Sequence, residues 1–180
     1  MLLSNMHLCL FGYLYKNIGL ANNMDDSLLS WAGSIAALTQ AVSRISVGCL
    51  YDRIGFKPLF YTLSVLTMIA GLTCYVARHN QWTYFFVIQL SYFANSGLYS
   101  LFPTAVYKTF GQLHGPRIYS IILLSGSCAC ITSITLMKVV YNMMGLPLWV
   151  LFFFGAFCSF IALVINISFN ERLDTEKLDQ

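Results

Sequence analysis

Charged residues are scarce in this sequence. Only 9% of its 180 residues are Asp, Glu, Lys or Arg, whereas about a quarter are charged in a typical soluble domain. Apolar residues make up 58% of the chain and aromatic residues 16%. The chain has too few charged residues to form a surface that faces water around so many apolar ones, so the composition predicts a chain surrounded by lipid. The net charge of +3 is too small and too scattered to indicate a nucleic-acid partner.

The sequence also lacks the usual signatures of an enzyme. No phosphate-binding loop of the form G-x-x-x-x-G-K-[ST] occurs, and His7, His79 and His114 show no metal-ligand spacing. All six cysteines lie in apolar runs, where they are expected to be small buried residues. Cys128 and Cys130 would point about 200° apart on a helix, which argues against a zinc site. We therefore predict no enzyme activity, no cofactor and no metal.

Long apolar segments are what the sequence does contain. About 20 mostly apolar residues are needed to cross the ~30 Å core of a membrane. Six segments meet this requirement, at approximately 3–21, 28–51, 58–77, 82–107, 117–141 and 147–169. Ser27 is a candidate N-cap for the second segment, and Pro58 suits the first turn of the third. The prediction is an all-α membrane protein with a six-helix transmembrane domain over 1–169 and a polar tail over 170–180.

The basic residues predict the orientation of these segments. Lys and Arg are enriched in the cytoplasmic loops of membrane proteins. If the six segments alternate in direction, one side carries Arg53, Lys57, Lys108, Arg117, Arg172 and Lys177. The other side carries Arg78 and Lys138, together with the acidic Asp25 and Asp26. We therefore expect a multi-pass protein with both termini, and hence the tail, in the cytoplasm.

A cluster of charges separates the second segment from the third. Residues 48–57 read GCLYDRIGFK. Gly48 permits another helix to approach closely, and Gly55 permits a tight turn with positive φ. Asp52 is expected to face the positive end of a neighbouring helix or to pair with an arginine. Arg53 and Lys57 suit the headgroup level of a membrane, and a generic positively charged turn is the alternative interpretation.

The spacing G-x-x-x-D-R-x-G-x-K resembles the loop signature of the major facilitator superfamily of secondary transporters. Residues 43–57, SRISVGCLYDRIGFK, and 107–120, YKTFGQLHGPRIYS, resemble the monocarboxylate and oxalate/formate antiporter branches. The likeness extends over essentially the whole chain and implies the C-terminal half of such a transporter, its seventh to twelfth helices. It also implies a conformational-switch motif made of Gly48, Asp52, Arg53, Gly55 and Lys57. Phe56 departs from the family pattern, which usually has a second basic residue there.

Arg44 is a charged residue inside the second apolar segment. An intramembrane arginine is costly unless it faces a cavity or a partner, so it marks a functional site. Gln40, Arg44 and Gly48 share one helix face, and a guanidinium group can bind a carboxylate through two hydrogen bonds. An interhelical ion pair and a snorkelling side chain are the alternatives. The resemblance implies that Arg44 binds substrate, and that Gln40 replaces an aspartate linked to proton coupling.

Further polar residues follow helical spacing in the fourth and fifth segments. They are candidates to line a polar path, although such residues also form hydrogen bonds between helices. Lys16 is expected to snorkel to the membrane surface. The position of a lysine used by some oxalate-type relatives holds Ser125 or Gly126 here, so paired binding of a dicarboxylate is not predicted. The predicted substrate-binding residues are Arg44, Gln40, Tyr92, Asn95, Ser96, Tyr99 and Ser125.

These patterns together predict a secondary transporter, or its C-terminal half, that moves a small organic anion such as a monocarboxylate by alternating access. A gradient would supply the energy, by symport or antiport. The alternative is a non-transporting membrane subunit, or a truncated half-transporter with a structural role. The expected partners are the lipid bilayer, the anion and a second six-helix half, encoded upstream in the same gene or by another chain.

Overall fold

The computed structural model describes residues 2–77, 79–143, 147 and 149–167, and every regular element within them is helical. The first three helices are α1 (Leu2–Ala21), α2 (Asp26–Ile54) and α3 (Phe56–Ala77). The helix Gln81–Lys138 is interrupted at Gly111, whose φ is 72° and ψ −175°, and we number its two parts α4 (81–110) and α5 (112–138). A π-helical turn, Val139–Met143, follows α5, and the last helix is α6 (Val150–Ile167). The predicted all-α, six-helix fold is confirmed.

The connections between helices are shorter than the sequence predicts. Residues 108–116 were expected to form a loop, but α4 and α5 are separated only by Gly111. A positive φ costs glycine little, so one residue is enough to redirect the chain. Predicted features at Arg78 and in the tail over 170–180, including Arg172 and Lys177, lie outside the described residues.

Asp25, rather than Ser27, caps the start of α2. Its carboxylate accepts hydrogen bonds from the hydroxyl of Ser27 at 2.6 Å and from the backbone N–H of Ser27 at 3.2 Å. These two bonds favour the ionised carboxylate and lower the pKa of Asp25 from its ordinary value. Ser27 is therefore part of the cap, but as the donor.

Helix α4 lies at the centre of the bundle and packs against α1, α2 and α3. Phe11 and Leu14 of α1 share one buried cluster with Tyr84 and Ile88 of α4 and with Phe152 of α6. A second cluster joins α2, α3 and α4 near the turn between α2 and α3, and contains Val47, Tyr51, Phe60, Leu63 and Leu101. Burial of these side chains holds the helices around α4.

Helices α2 and α4 run parallel and are joined by a line of hydrogen bonds. Most of these bonds connect a side chain of one helix to a backbone carbonyl of the other, which allows the helices to approach closely. They are Ser43 to the Phe93 carbonyl, Gln89 to Ala32 (2.9 Å), Ser96 to Gln40 (3.1 Å) and Ser100 to Arg44 (3.2 Å). Thr39 also donates to the side chain of Gln89 at 2.8 Å. We call this line of bonds the α2–α4 seam.

Two helices within the described residues are long and apolar enough to cross a membrane by length and composition, Phe56–Ala77 and Leu113–Tyr141. The segment Val150–Asn166 is apolar but shorter. The mean hydropathy of α1 and α2 is reduced by polar residues such as Asn5, His7 and Arg44. Helices α1 and α2 therefore fall below this length and composition criterion, and α2 is the helix that carries the predicted binding residues Gln40 and Arg44.

Candidate functional site

Arg44 lies on α2, ten residues before Ile54 and so about 15 Å from that end of the helix. Its Nε donates a hydrogen bond to the Oγ of Ser96 at 3.0 Å, and that hydroxyl donates to the Gln40 carbonyl at 3.1 Å. The Arg44 side chain is exposed. Among the described residues, no carboxylate lies within ion-pair distance of it and no group accepts from its two Nη nitrogens.

A pocket of about 200 Å³ lies beside Arg44. Its lining comprises Arg44 from α2, Tyr99 and Ser100 from α4, and Tyr119 from α5. Both tyrosines are close enough to Arg44 for an electrostatic interaction. A guanidinium flanked by two phenol hydroxyls offers a positive charge and several hydrogen-bond donors. This arrangement can hold a small anion.

Sequence reasoning did not identify Tyr119. It lies in the stretch 107–120 that carries the family resemblance, and that position was the available signal. What the sequence does not give is how α5 is turned against α2 and α4. That rotation decides which of its residues reaches Arg44.

The structure brings only some of the predicted binding residues together. Arg44 and Tyr99 line the pocket, and Ser96 binds Arg44 directly. Gln40 contributes its backbone carbonyl to Ser96. These residues belong to one connected site on α2 and α4.

Tyr92 and Ser125 are not in the lining of this pocket. Tyr92 packs edge-on against Phe11 and Tyr15 of α1, with ring centroids 6.3 and 6.2 Å apart. The hydroxyl of Ser125 donates to the Ile122 carbonyl within α5 at 2.6 Å. Tyr92 therefore packs against α1, and Ser125 bonds within its own helix.

Asn95 belongs to a buried polar cluster with Ser91 and His7. Its side chain donates to the Ser91 carbonyl at 2.8 Å, and the Nε2 of His7 lies 3.3 Å from the Ser91 hydroxyl. His7 is 1% exposed. Gly71 and Gly155 clear the space for it, since a Cβ at either would come within 3.1 Å of the imidazole ring. The cluster joins α1 to α3, α4 and α6, and none of its three residues lines the pocket. His7 had no role in the sequence prediction.

The charged turn after α2 has the backbone geometry that its glycine predicts. Gly55 has a φ of 86°, and its N–H donates to the Tyr51 carbonyl at 3.0 Å to end α2. Asp52 pairs with a lysine, not with an arginine or a helix end: its Oδ1 lies 2.8 Å from the Nζ of Lys108. The hydrogen bond that Lys108 donates to the Asp52 carboxylate raises the pKa of Lys108 above its ordinary value. The turn is thereby connected to the end of α4.

Phe56 explains why the family's second basic residue is missing from this turn. Its ring stacks on Phe60 at 5.6 Å and meets Phe102 edge-on at 6.4 Å, and its side chain is buried. A charged side chain buried there would lose its contact with water, which is costly. At Gly48, an added Cβ would meet the hydroxyl of Ser100 at 3.8 Å, an ordinary contact distance. Arg53 is exposed at the last turn of α2, and Lys57 is half-buried at the start of α3.

Lys16 bridges the first two helices. Its Nζ lies 2.8 Å from the Oδ1 of Asp26 and 3.3 Å from the hydroxyl of Ser30. Both members of the ion pair are largely exposed. This pair sits at the end of α2 opposite to the Asp52–Lys108 pair.

A second cavity, of about 330 Å³, contains none of the predicted binding residues. It is almost entirely apolar, and its lining carries no charged side chain. The residues that line it are Phe56, Phe102, Ala105, Val106, Thr109, Phe110, Ile118, Ile122 and Asn166. The pocket at Arg44 is therefore the better candidate for binding a polar solute.

Comparison with known proteins gives a family match. The family model of the Major Facilitator Superfamily matches residues 2–178. No curated protein matches the chain. The family match covers all six helices, and it is to the superfamily as a whole rather than to one branch.

Proposed function

The chain belongs to the major facilitator superfamily, and on that premise we propose that it takes part in carrying a small organic anion, such as a monocarboxylate, across a membrane. This family consists of integral membrane proteins that act as secondary transporters. The substrate and the mechanism are our proposal. In it, Arg44 binds the anion and the pocket beside Arg44 is the binding site.

The observation that carries the proposal is that the Arg44 side chain is exposed and has no described carboxylate as a partner. A charge at this depth is too costly to face lipid, so it requires water or an anionic partner. The ion-pair alternative lacks a described partner. A transported anion supplies the missing charge.

The dimensions of the site favour a small anion. Pockets that enclose drug-sized ligands have volumes of about 300–1,000 Å³, and the pocket at Arg44 is about 200 Å³. The Ser96 hydroxyl accepts the hydrogen bond from Nε of Arg44. Both Nη groups are therefore left to bind the two oxygens of one carboxylate. Tyr99 and Tyr119 are placed to donate further hydrogen bonds. A single carboxylate on a short chain fits these groups.

We further propose that a second six-helix half closes the open side of the pocket and that the two halves rock about it. The pocket is bounded by α5, and only 11% of the apolar window of that helix is buried, against 44% for α3. An uncovered helix beside an unpaired arginine is the arrangement expected at a boundary between halves. In this scheme the Asp52–Lys108 pair stabilises one of the alternating conformations.

Uptake of labelled lactate into proteoliposomes that contain the assembled protein, including any second half, tests the proposal. Lysine keeps the charge of Arg44 but loses the planar pair of donors, so we expect Arg44→Lys to lower uptake at least tenfold. Arg117→Lys is the matched control, because Arg117 is exposed and does not line the pocket, and it should retain most of the activity. Equal uptake by wild type and Arg44→Lys would exclude Arg44 as the binding residue.

The same assay addresses the structural alternative. If the wild-type assembly inserts and folds but gives no uptake above empty vesicles for lactate, pyruvate, formate or oxalate, the transport proposal is wrong for these anions. A non-transporting membrane subunit would then be the better interpretation.

A further inference from the structure

Two cysteines that are far apart in sequence meet between α1 and α5. The Sγ atoms of Cys9 and Cys130 are 2.7 Å apart. A disulfide bond is about 2.04 Å long, so these are free thiols already close to bonding distance. The other cysteines, Cys49, Cys74, Cys128 and Cys158, form no such pair within the described residues.

We propose that Cys9 and Cys130 form a redox-sensitive dithiol, which peroxide oxidises to a disulfide that ties α1 to α5 beside the Arg44 pocket. Formation of this bond is independent of the transport proposal. Its effect on transport, argued below, rests on that proposal.

The exposure of the two thiols predicts the order of the reaction. Cys9 is buried, whereas Cys130 is only partly buried, so peroxide reaches Cys130 first. The Cys130 sulfur attacks one peroxide oxygen, the O–O bond breaks, and a sulfenic acid and one water are formed. The Cys9 sulfur then attacks the sulfenic sulfur, loses its proton and displaces a second water. The two thiols lose two electrons in total, and peroxide accepts both.

The bond would form next to the candidate binding site. Tyr99 lines the pocket and is close enough to Cys9, Cys130 and Arg44 to interact with all three electrostatically. Tyr119, on the other wall, lies eleven residues before Cys130 on the same helix. Eleven residues are about three helical turns, so Tyr119 and Cys130 share one face of α5.

A covalent bond at Cys130 would therefore restrain the wall that Tyr119 provides. If α5 shifts against α1 when the pocket opens and closes, the disulfide holds the pocket in one state. Oxidation is then expected to lower the maximum rate of uptake, and reduction by a dithiol to restore it.

The bond itself is tested by treating the purified protein with hydrogen peroxide, blocking the remaining thiols and digesting it for mass spectrometry. The expected result is a cross-linked peptide containing Cys9 and Cys130, which dithiothreitol converts back to two separate peptides. Counting of alkylatable thiols in unfolded protein should show a loss of two per chain. If no such peptide forms while peroxide still oxidises Cys130, the proposal is wrong.

Three single substitutions control this experiment. Cys9→Ser and Cys130→Ser should each abolish the cross-link. Cys128→Ser is the matched control, because Cys128 is an exposed thiol on the same helix that points away from Cys9, and it should leave the cross-link intact. A cross-link that persists in Cys9→Ser would assign the bond to another pair and overturn the proposal.

Uptake measured before and after peroxide tests the second step. Peroxide should lower uptake at least threefold in wild type and in Cys128→Ser, but not in Cys9→Ser. If the bond forms completely and uptake does not change, control of transport by this pair is excluded. If the protein shows no uptake at all, the mass-spectrometric result still decides whether the bond forms, so the failures of the two proposals are distinguishable.

Discussion

Ser96 positions the arginine at the centre of the proposed site. Its hydroxyl accepts from Nε of Arg44 and donates to the Gln40 carbonyl, so it joins the guanidinium to the backbone of α2. Serine at this position was predicted to bind substrate. The geometry favours a different role, in which Ser96 binds Nε of Arg44 and leaves the two Nη groups to the anion.

Replacement of Ser96 by alanine should therefore weaken substrate binding. A hydrogen bond to a charged group contributes about 1.5–3 kcal/mol, so we expect Ser96→Ala to raise KM for lactate at least tenfold. The turnover rate should change little. Ser96→Thr keeps the hydroxyl and should restore most of the affinity, whereas a purely structural role would lower the amount of folded protein without changing KM. Ser34→Ala, on the exposed part of α2, is the control.

The sequence predicted some of the residues that are neighbours in the pocket and missed others. Arg44 was predicted because a charge inside an apolar segment has few explanations. Tyr119 was missed because its position beside Arg44 in the pocket depends on the rotation of a whole helix. Tyr92, Asn95 and Ser125 have the spacing of a polar path, but spacing alone does not distinguish a pocket from contacts between helices. Their proposed role in binding remains a prediction.

At the scale of helices, close packing depends on small residues at specific contacts. A Cβ added to Gly71 of α3 would lie 3.0 Å from the Cβ of Ala156, 3.1 Å from the His7 ring and 3.3 Å from the Phe152 carbonyl oxygen. Two of these neighbours belong to the backbone or to a short side chain on α6, so they cannot rotate away. Gly71 is therefore required where α3 meets α6.

We predict that Gly71→Ala destabilises the protein by about 1–3 kcal/mol, the usual cost of overpacking a core. The measurement is thermal or denaturant-induced unfolding in detergent micelles. Gly12→Ala is the matched control, because the nearest atom to its added Cβ would be the Tyr92 hydroxyl at 3.6 Å. Equal stability of the two variants would show that α6 can shift to accommodate the methyl group.

The ion pair after α2 connects two helices that the seam already joins. Asp52→Lys would place two like charges at the position of the pair with Lys108, so we expect slower uptake with little change in KM. The double substitution Asp52→Lys with Lys108→Asp restores opposite charges and should recover most of the rate.

The pair between Lys16 and Asp26 provides the control for this charge exchange. It has the same 2.8 Å separation at the other end of α2. Asp26→Lys should slow uptake less, because in our proposal only the turn with Asp52 takes part in conformational switching. Failure of the double substitution to recover uptake would contradict that assignment for the pair.

The helices themselves were predictable, and their mutual arrangement was not. Each apolar segment is long enough to require a helix in lipid, and Gly55 predicted the positive φ of its turn. The near-absence of a loop around Gly111 was not predicted, because Lys108, Gly115 and Pro116 suggested a wider break. The parallel alignment of α2 and α4 requires pairing Ser43 with Phe93, and no pattern within either helix specifies that pairing.

For the molecule as a whole, the proposed function requires water at Arg44. If Arg44 faces a water-filled cavity, a cysteine in its place should react with a membrane-impermeant, charged maleimide. We expect Arg44→Cys to be labelled at least tenfold faster than Ser43→Cys, because Arg44 is exposed whereas Ser43 is 0% exposed. The exposed Cys49 and Cys128 are first replaced by serine to remove background labelling.

Labelling in the presence of substrate extends this test. A saturating concentration of lactate is expected to slow modification of Tyr99→Cys or Tyr119→Cys if Arg44 is present to hold the anion. A result in which only a lipid-soluble maleimide reacts at position 44 would place that face in the bilayer and contradict the proposed site. The predicted orientation, with both termini in the cytoplasm, can be examined in the same samples by the side from which each cysteine is labelled.

The α2–α4 seam also has a consequence for how this sequence can change during evolution. Most of its acceptors are backbone carbonyls, at Ala32, Gln40, Arg44 and Phe93, and a carbonyl is present whatever side chain the position carries. The donors are side-chain groups of Ser43, Gln89, Ser96 and Ser100, so these positions require a residue that can donate a hydrogen bond. A mutational scan should therefore find the donors intolerant of apolar replacement and several acceptor positions tolerant. Binding specificity at position 44 can then change while the two helices remain joined in the same alignment.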